Sequence, residues 1–169
     1  RSQSMKRKLA MTAVLAVALA VVGYAQKPDF SGTWTPDAAA APSAPAGGGA
    51  GGGGGRGMAA GPMTVTQKGD ALTIERTMGE NKVSSVYKLD GTESVNKQMG
   101  RGGEVEIKST AKWDGSKLTM VSKQPAQDGT VRESTQTWWL EGGNLVVERT
   151  QQGRDGAPMT NKVTYKKST

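Results

Sequence analysis

Cysteine and histidine are both absent from the 169 residues. Their absence excludes disulfides, thiolate nucleophiles, Cys/His zinc sites and imidazole bases. It also excludes lipid attachment to a cysteine behind an apolar leader. Acidic residues are missing before Asp29, so the net charge of +7 is unevenly placed. Of the 22 basic residues, Arg1, Lys6, Arg7 and Lys8 lie within residues 1–25, which leaves 18 against 15 acidic ones in the rest. That balance is ordinary for a soluble domain and argues against nucleic acid as a partner. No acidic spacing matches a calcium loop, and the serines lack both a histidine and a nucleophile-elbow motif. Neither a catalytic residue, a metal nor a cofactor is therefore expected, and the protein reads as a non-enzyme.

The amino end has the layout of a signal peptide. Lys6-Arg7-Lys8 follows Met5, and Leu9 to Val22 is almost wholly apolar. Gly23-Tyr24-Ala25 puts small residues at the −3 and −1 positions of a cleavage site. The apolar run is shorter than the ~20 residues a spanning helix needs. Residues 1–25 are accordingly expected to be removed, giving a periplasmic or secreted protein that starts at Gln26 and has no membrane span.

Residues 26–35 hold one short strand candidate, Phe30 to Trp34. Residues 36–62 are Ala/Pro/Gly-rich, including Gly51 to Gly55 without a break. Such a tract has too little apolar bulk to offset the entropy of ordering, and it reads as a flexible loop. From 63 to 169 the chain alternates. Val105, Ile107, Ser109, Ala111 and Trp113 share one face of a strand, and Glu104, Glu106, Lys108, Thr110 and Lys112 share the other. Val83, Ser85, Tyr87 and Leu89 repeat the device. Asp90-Gly91, Asp114-Gly115, Asp128-Gly129, Gly142-Gly143 and Asp155-Gly156 punctuate the pattern. Asp-Gly between alternating runs points to type I′ hairpins, whose two central residues need positive φ. The expected strands are 30–35, 63–68, 71–77, 82–89, 92–98, 104–113, 116–124, 130–140, 144–151 and 159–167. An antiparallel up-and-down meander of about ten strands hides its apolar face and its edges by closing into a barrel. A β-sandwich is the alternative. The short connections after Met63 disfavour it, since a Greek key needs a long crossover.

Asp29-Phe30-Ser31-Gly32-Thr33-Trp34 resembles the opening strand of calycins, the lipocalins and fatty-acid-binding proteins. Lys162-Val163-Thr164-Tyr165-Lys166-Lys167 resembles the closing strand of fatty-acid-binding proteins. The chain also resembles bacterial exported lipocalin-like proteins of unassigned function. The shared features are the Ser-Gly-Thr-Trp start, the hairpin from Leu89 to Ser94 and the hairpin from Lys112 to Leu118. This resemblance implies a calycin-like barrel that binds a small apolar or amphipathic ligand. A structural or interaction β-domain of the cell envelope, without a small ligand, is the alternative. Two departures stand out. The helical lid of fatty-acid-binding proteins is replaced by the Ala/Gly tract. The Arg that lies two positions before their closing-strand Tyr is Val163 here.

Candidate ligand-binding residues follow from the alternation. Arg76 and Arg149 each sit two residues beyond an apolar residue, on the face of Leu72/Ile74 and of Leu145/Val147. There a guanidinium could grip a carboxylate or phosphate, snorkel at the rim, or stack on Trp34 as an Arg does in calycins. Tyr87, Tyr165 and Trp113 complete the candidate set, and Trp34 is expected to plug one barrel end. Trp138 and Trp139 are sequence neighbours on a strand, so one of them must leave the core. The number of subunits is left open by these residues.

Overall fold

The computed structural model describes residues 27–37, 61–78, 80–100, 103–126, 128–153 and 156–168. The expected leader and most of the Ala/Pro/Gly tract lie outside the described residues. Ten strands follow one another: β1 (Gly32–Pro36), β2 (Met63–Lys68), β3 (Ala71–Met78), β4 (Asn81–Lys88), β5 (Ser94–Gly100), β6 (Gly103–Asp114), β7 (Lys117–Pro125), β8 (Val131–Glu141), β9 (Asn144–Gln152) and β10 (Pro158–Ser168). They form one antiparallel sheet in the order β4-β3-β2-β1-β10-β9-β8-β7-β6-β5. From β2 to β10 every strand runs back along its predecessor, apart from β4 and β5, and β1 joins β2 to β10. The sheet curls into a nearly closed calycin-like barrel, with no helix among the described residues.

The alternation of the sequence becomes an inside and an outside. Leu72, Ile74, Ala111, Leu118, Met120, Trp138, Leu145, Val147 and Tyr165 are buried in one core cluster, while Glu75, Lys108, Lys123 and Lys166 are exposed. Each inward apolar side chain removed from water is worth about 1.5–3 kcal/mol. A one-residue slip would turn the whole set outward, so the register is held tightly.

The turns differ from the type I′ expectation at Asp90-Gly91, Asp114-Gly115 and Asp128-Gly129, where the glycine has positive φ and the aspartate does not. Asp114 pairs with Lys117 as the last rung of β6–β7, so the central pair is Gly115-Ser116. Only Gly115 has positive φ, at 60°, which is the type II′ pattern. Gly142-Gly143, between the paired Glu141 and Asn144, has φ of 58° and 83° and is the type I′ case. Both types follow the right-handed twist of the flanking strands.

Strand β1 starts at Gly32 and not at Phe30, a correction with a packing cause. Phe30 drops beneath the barrel, where its ring stacks on Trp113 at 5.6 Å and meets Trp138 edge-on at 5.8 Å. This end, which carries the β2–β3, β4–β5, β6–β7 and β8–β9 turns, is therefore floored with aromatic rings. Its backbone is tied down by side chains: Phe30 N donates to Gln67 Oε1 at 3.1 Å, and Gln67 Nε2 donates to the Pro28 carbonyl at 3.2 Å.

Strands β4 and β5 have no backbone ladder between them. Side chains bridge the seam. Val86 N donates to Asn96 Oδ1 at 2.8 Å, and Asn96 Nδ2 donates to the Val86 carbonyl at 3.0 Å. Two residues along, Lys88 N donates to Ser94 Oγ at 2.8 Å. The Asn96 amide thus supplies the donor and acceptor that a neighbouring backbone would.

Candidate binding site

The inner face is divided along the barrel axis. Near the aromatic floor it is apolar. Toward the other end, which the β3–β4, β5–β6, β7–β8 and β9–β10 connections surround, it becomes polar: Arg76 on β3, Ser85 on β4, Ser122 on β7, Gln136 on β8 and Arg149 on β9, while Tyr87, opposite Leu72, stands on the floor side of Ser85. Arg76, Ser122, Gln136 and Arg149 are inward because each lies two positions from a buried apolar neighbour on its own strand, and Ser85 shares the face of Tyr87 two positions on.

Arg149 stands opposite Gln136 on β8 and Asn161 on β10. Its Nε is buried and makes no hydrogen bond among the described residues. Burial, and then the nearby Arg76 charge, hold the guanidinium below its ordinary pKa, opposed by Tyr87. The Tyr87 hydroxyl is pushed above its ordinary value, chiefly by burial. Arg76, a hydrogen bond with Ser85, and Arg149 pull the other way. Tyr165 is likewise raised by burial and opposed by Arg76. The two arginines and two tyrosines singled out by alternation therefore share one electrostatic environment. Arg76 Nη2 donates to Met63 Sδ at 3.6 Å. A hollow of about 130 Å³ beside them is lined also by the exposed Thr33, Thr64 and Glu75 of the outer face, so it is a depression of the rim and not an enclosed chamber.

Trp113 stands apart from that group. It belongs to the floor, stacked on Phe30, with Lys27 Nζ 5.9 Å from its ring centroid. Trp34 points into the core, and its Nε1 donates to the Phe30 carbonyl at 2.8 Å. The cation over its ring is Lys167, at 5.6 Å, in place of the arginine considered from sequence. Of the tryptophan pair, Trp138 faces inward and is fully buried. Trp139 faces outward over the buried Val146, with Lys117 at 4.8 Å and Lys162 at 5.3 Å from its ring.

Sequence reasoning did not single out Gln136. Its signal was available, because it shares the period-2 face of Trp138. Lys167 was equally visible two residues after Tyr165.

No protein-family model matches the chain, and no curated protein matches it. Among solved structures it is similar to human cRBP IV. The identity is 22%, the match covers 83% of this chain and 99% of that one, and the TM-score is 0.53. It is also similar to the REP1-NXSQ fatty acid transporter, at 16% identity, over 82% of this chain and 96% of that one, with a TM-score of 0.53. The likeness is one of fold. A calycin-like barrel is the architecture that all of these observations share.

Proposed function

We propose that this protein is an exported binding protein for a small amphipathic ligand, whose apolar part lies over the barrel floor and whose anionic group meets Arg149. The observation that carries the reading is the Arg149 Nε, buried on the inner face without a hydrogen-bond partner among the described residues. A buried donor of this kind costs stability unless something accepts from it. The apolar floor below it and the fatty acid named for one protein of similar fold, a transporter, support an amphipathic partner. Export rests on the sequence of residues 1–25.

Calorimetric titration with dodecanoate tests the binding reading. The parent should bind it, and Arg149→Met should weaken binding on the order of tenfold or more, the worth of a charge-assisted hydrogen bond. Absence of binding to any acyl amphiphile defeats the reading. Amino-terminal sequencing of protein recovered from its own host tests export, with Gln26 as the expected first residue.

A further inference from the structure

Three of the Asp-Gly pairs are described on both residues, and their surroundings differ. Asp90 Oδ1 accepts from Thr92 N at 2.9 Å and from Thr92 Oγ1 at 2.6 Å. The Lys112 stem packs there too, 3.0 Å from where a Gly91 Cβ would stand. Asp128 Oδ1 accepts from Thr130 N at 3.0 Å and from Thr130 Oγ1 at 2.5 Å, and Gly129 N donates to the Ala126 carbonyl at 3.1 Å. The threonine bonds, side chain first and backbone second, hold both carboxyls below their ordinary pKa. Asp114-Gly115 has none of these restraints. Among the described residues the Asp114 carboxylate has no hydrogen bond or ion pair and the Gly115 N–H has no acceptor. The space where a Gly115 Cβ would stand is open to 4 Å, and both residues are exposed to water.

We propose that Asp114-Gly115 is a self-modification site, where the folded protein converts aspartate to isoaspartate and thereby loosens the barrel floor. The Gly115 nitrogen attacks Cγ of the neutral Asp114 carboxyl. The N–Cγ bond forms, the Cγ–OH bond breaks, and the amide proton leaves with the hydroxyl as water. Water then opens the succinimide on one of two sides. Attack at Cγ restores aspartate. Attack at the Asp114 main-chain carbonyl leaves the chain running through Cβ and Cγ, which is isoaspartate. Nothing is oxidised or reduced. The neutral acid is the form that can lose water, so a carboxyl held ionised by two donors reacts slowly. An N–H bonded to a carbonyl must first break that bond to attack. Asp90-Gly91 and Asp128-Gly129 are protected on these grounds, and Asp114-Gly115 is not. The product lengthens the main chain by one carbon inside a two-residue turn, whose length fixes the strand register. The affected rung is Asp114 with Lys117, and the next is Trp113 with Leu118. Trp113 is the ring on which Phe30 stacks. This inference is independent of the binding reading above.

The test ages the folded full chain at neutral pH in heavy-oxygen water, digests it and weighs each Asp-Gly peptide. Every passage through the succinimide leaves one heavy oxygen behind. Asp114 should take up label at least severalfold faster than Asp90 and Asp128. In urea the three rates should converge. Thr92→Val removes one donor from Asp90 and should raise labelling there alone. Labelling at Asp114 no faster than at the other two overturns the inference. A difference that persists in urea also overturns it, because local sequence and not the fold would then be the cause. The effect on the floor is read by amide exchange at Trp113 and Leu118. Exchange should be faster in the isoaspartate fraction of the aged parent than in fresh protein. Asp114→Glu, whose longer side chain disfavours the five-membered ring, should age without that change. Equal exchange in the isoaspartate fraction and in fresh protein overturns the claim that the floor loosens.

Discussion

Lys167 lies over the indole of Trp34, across the β1–β10 pairing in which the two residues are direct partners. The contact needs Gly32, whose φ is 145° and whose missing Cβ would sit 2.6 Å from Lys167 Cε. The first strand is thereby fastened to the last by an aromatic ring below and an aliphatic stem above. Trp34 is 2% exposed, and its replacement by Ala should cost about 3–5 kcal/mol. Lys167→Ala should cost less than about 1 kcal/mol, the range of an exposed cation–π contact. Urea unfolding of both variants checks the order. A Trp34→Ala midpoint equal to the parent's would mean that β1 contributes nothing to the barrel.

Asn96→Ala should loosen the β4–β5 seam. It strands the Val86 N–H and carbonyl together, and each buried unpaired group costs about 1–3 kcal/mol. A loss of about 2 kcal/mol or more is expected. Amide exchange locates the effect: Val86, which faces the seam, should exchange faster, while Tyr87, which faces β3, should not. Equal acceleration at both would indicate general unfolding instead.

Arg149→Met should raise the ligand-free thermal midpoint. The guanidinium pKa is depressed by burial and by Arg76. A basic group with a depressed folded pKa is disfavoured in its charged form, so its charge opposes folding at every pH below that value. The methionine keeps much of the length and apolar stem without the charge. A lower midpoint would show that the charge is compensated in the free protein.

Asp29→Asn should flatten the acid limb of the stability curve. The Asp29 carboxylate accepts a hydrogen bond from Ser31 N at 2.9 Å, and its pKa is lowered by the Ser31 side chain and backbone, with a smaller pull from Lys167. A carboxylate with a depressed folded pKa adds stability that is present above its unfolded value and lost as pH falls through the folded one. Urea midpoints of parent and variant, measured downward from neutral pH, should therefore converge below the ordinary carboxylate range. A constant gap between them at all pH values would assign the effect to something other than ionisation.

The hairpins were legible because their signals are local. Val105 to Trp113 alternates, Asp114-Gly115 breaks the run, and Leu118 resumes it on the same face. Arg76 and Arg149 were legible by the same period of two. The floor was not, because Lys27 to Ser31 shows no alternation and its Pro28-Asp29 turn signal does not say where Phe30 packs. Phe30 is placed by Trp113 and Trp138, which lie more than eighty residues away in the chain. The seam was hidden for a related reason. Asn96 alternates as any inward strand residue does, and only the missing β4–β5 ladder shows that its amide stands in for backbone. Lys167 read only as the end of the closing-strand motif, and its place over Trp34 needed β10 beside β1.

Thr35 Oγ1 and Ser168 Oγ meet at 2.7 Å although 133 residues separate them. The neighbouring strands from β2 to β4 and from β5 to β10 can zip turn by turn, each closing only a short loop, but β1 has nothing to complete its far side until β10 is present. Loop closure over such a span comes late and slowly, because its entropy is lost before the contacts reward it. A growing chain that has not yet delivered Pro158 to Ser168 holds an open sheet with its inner face uncovered. Its last eleven-residue strand therefore sets the moment at which the molecule acquires an interior.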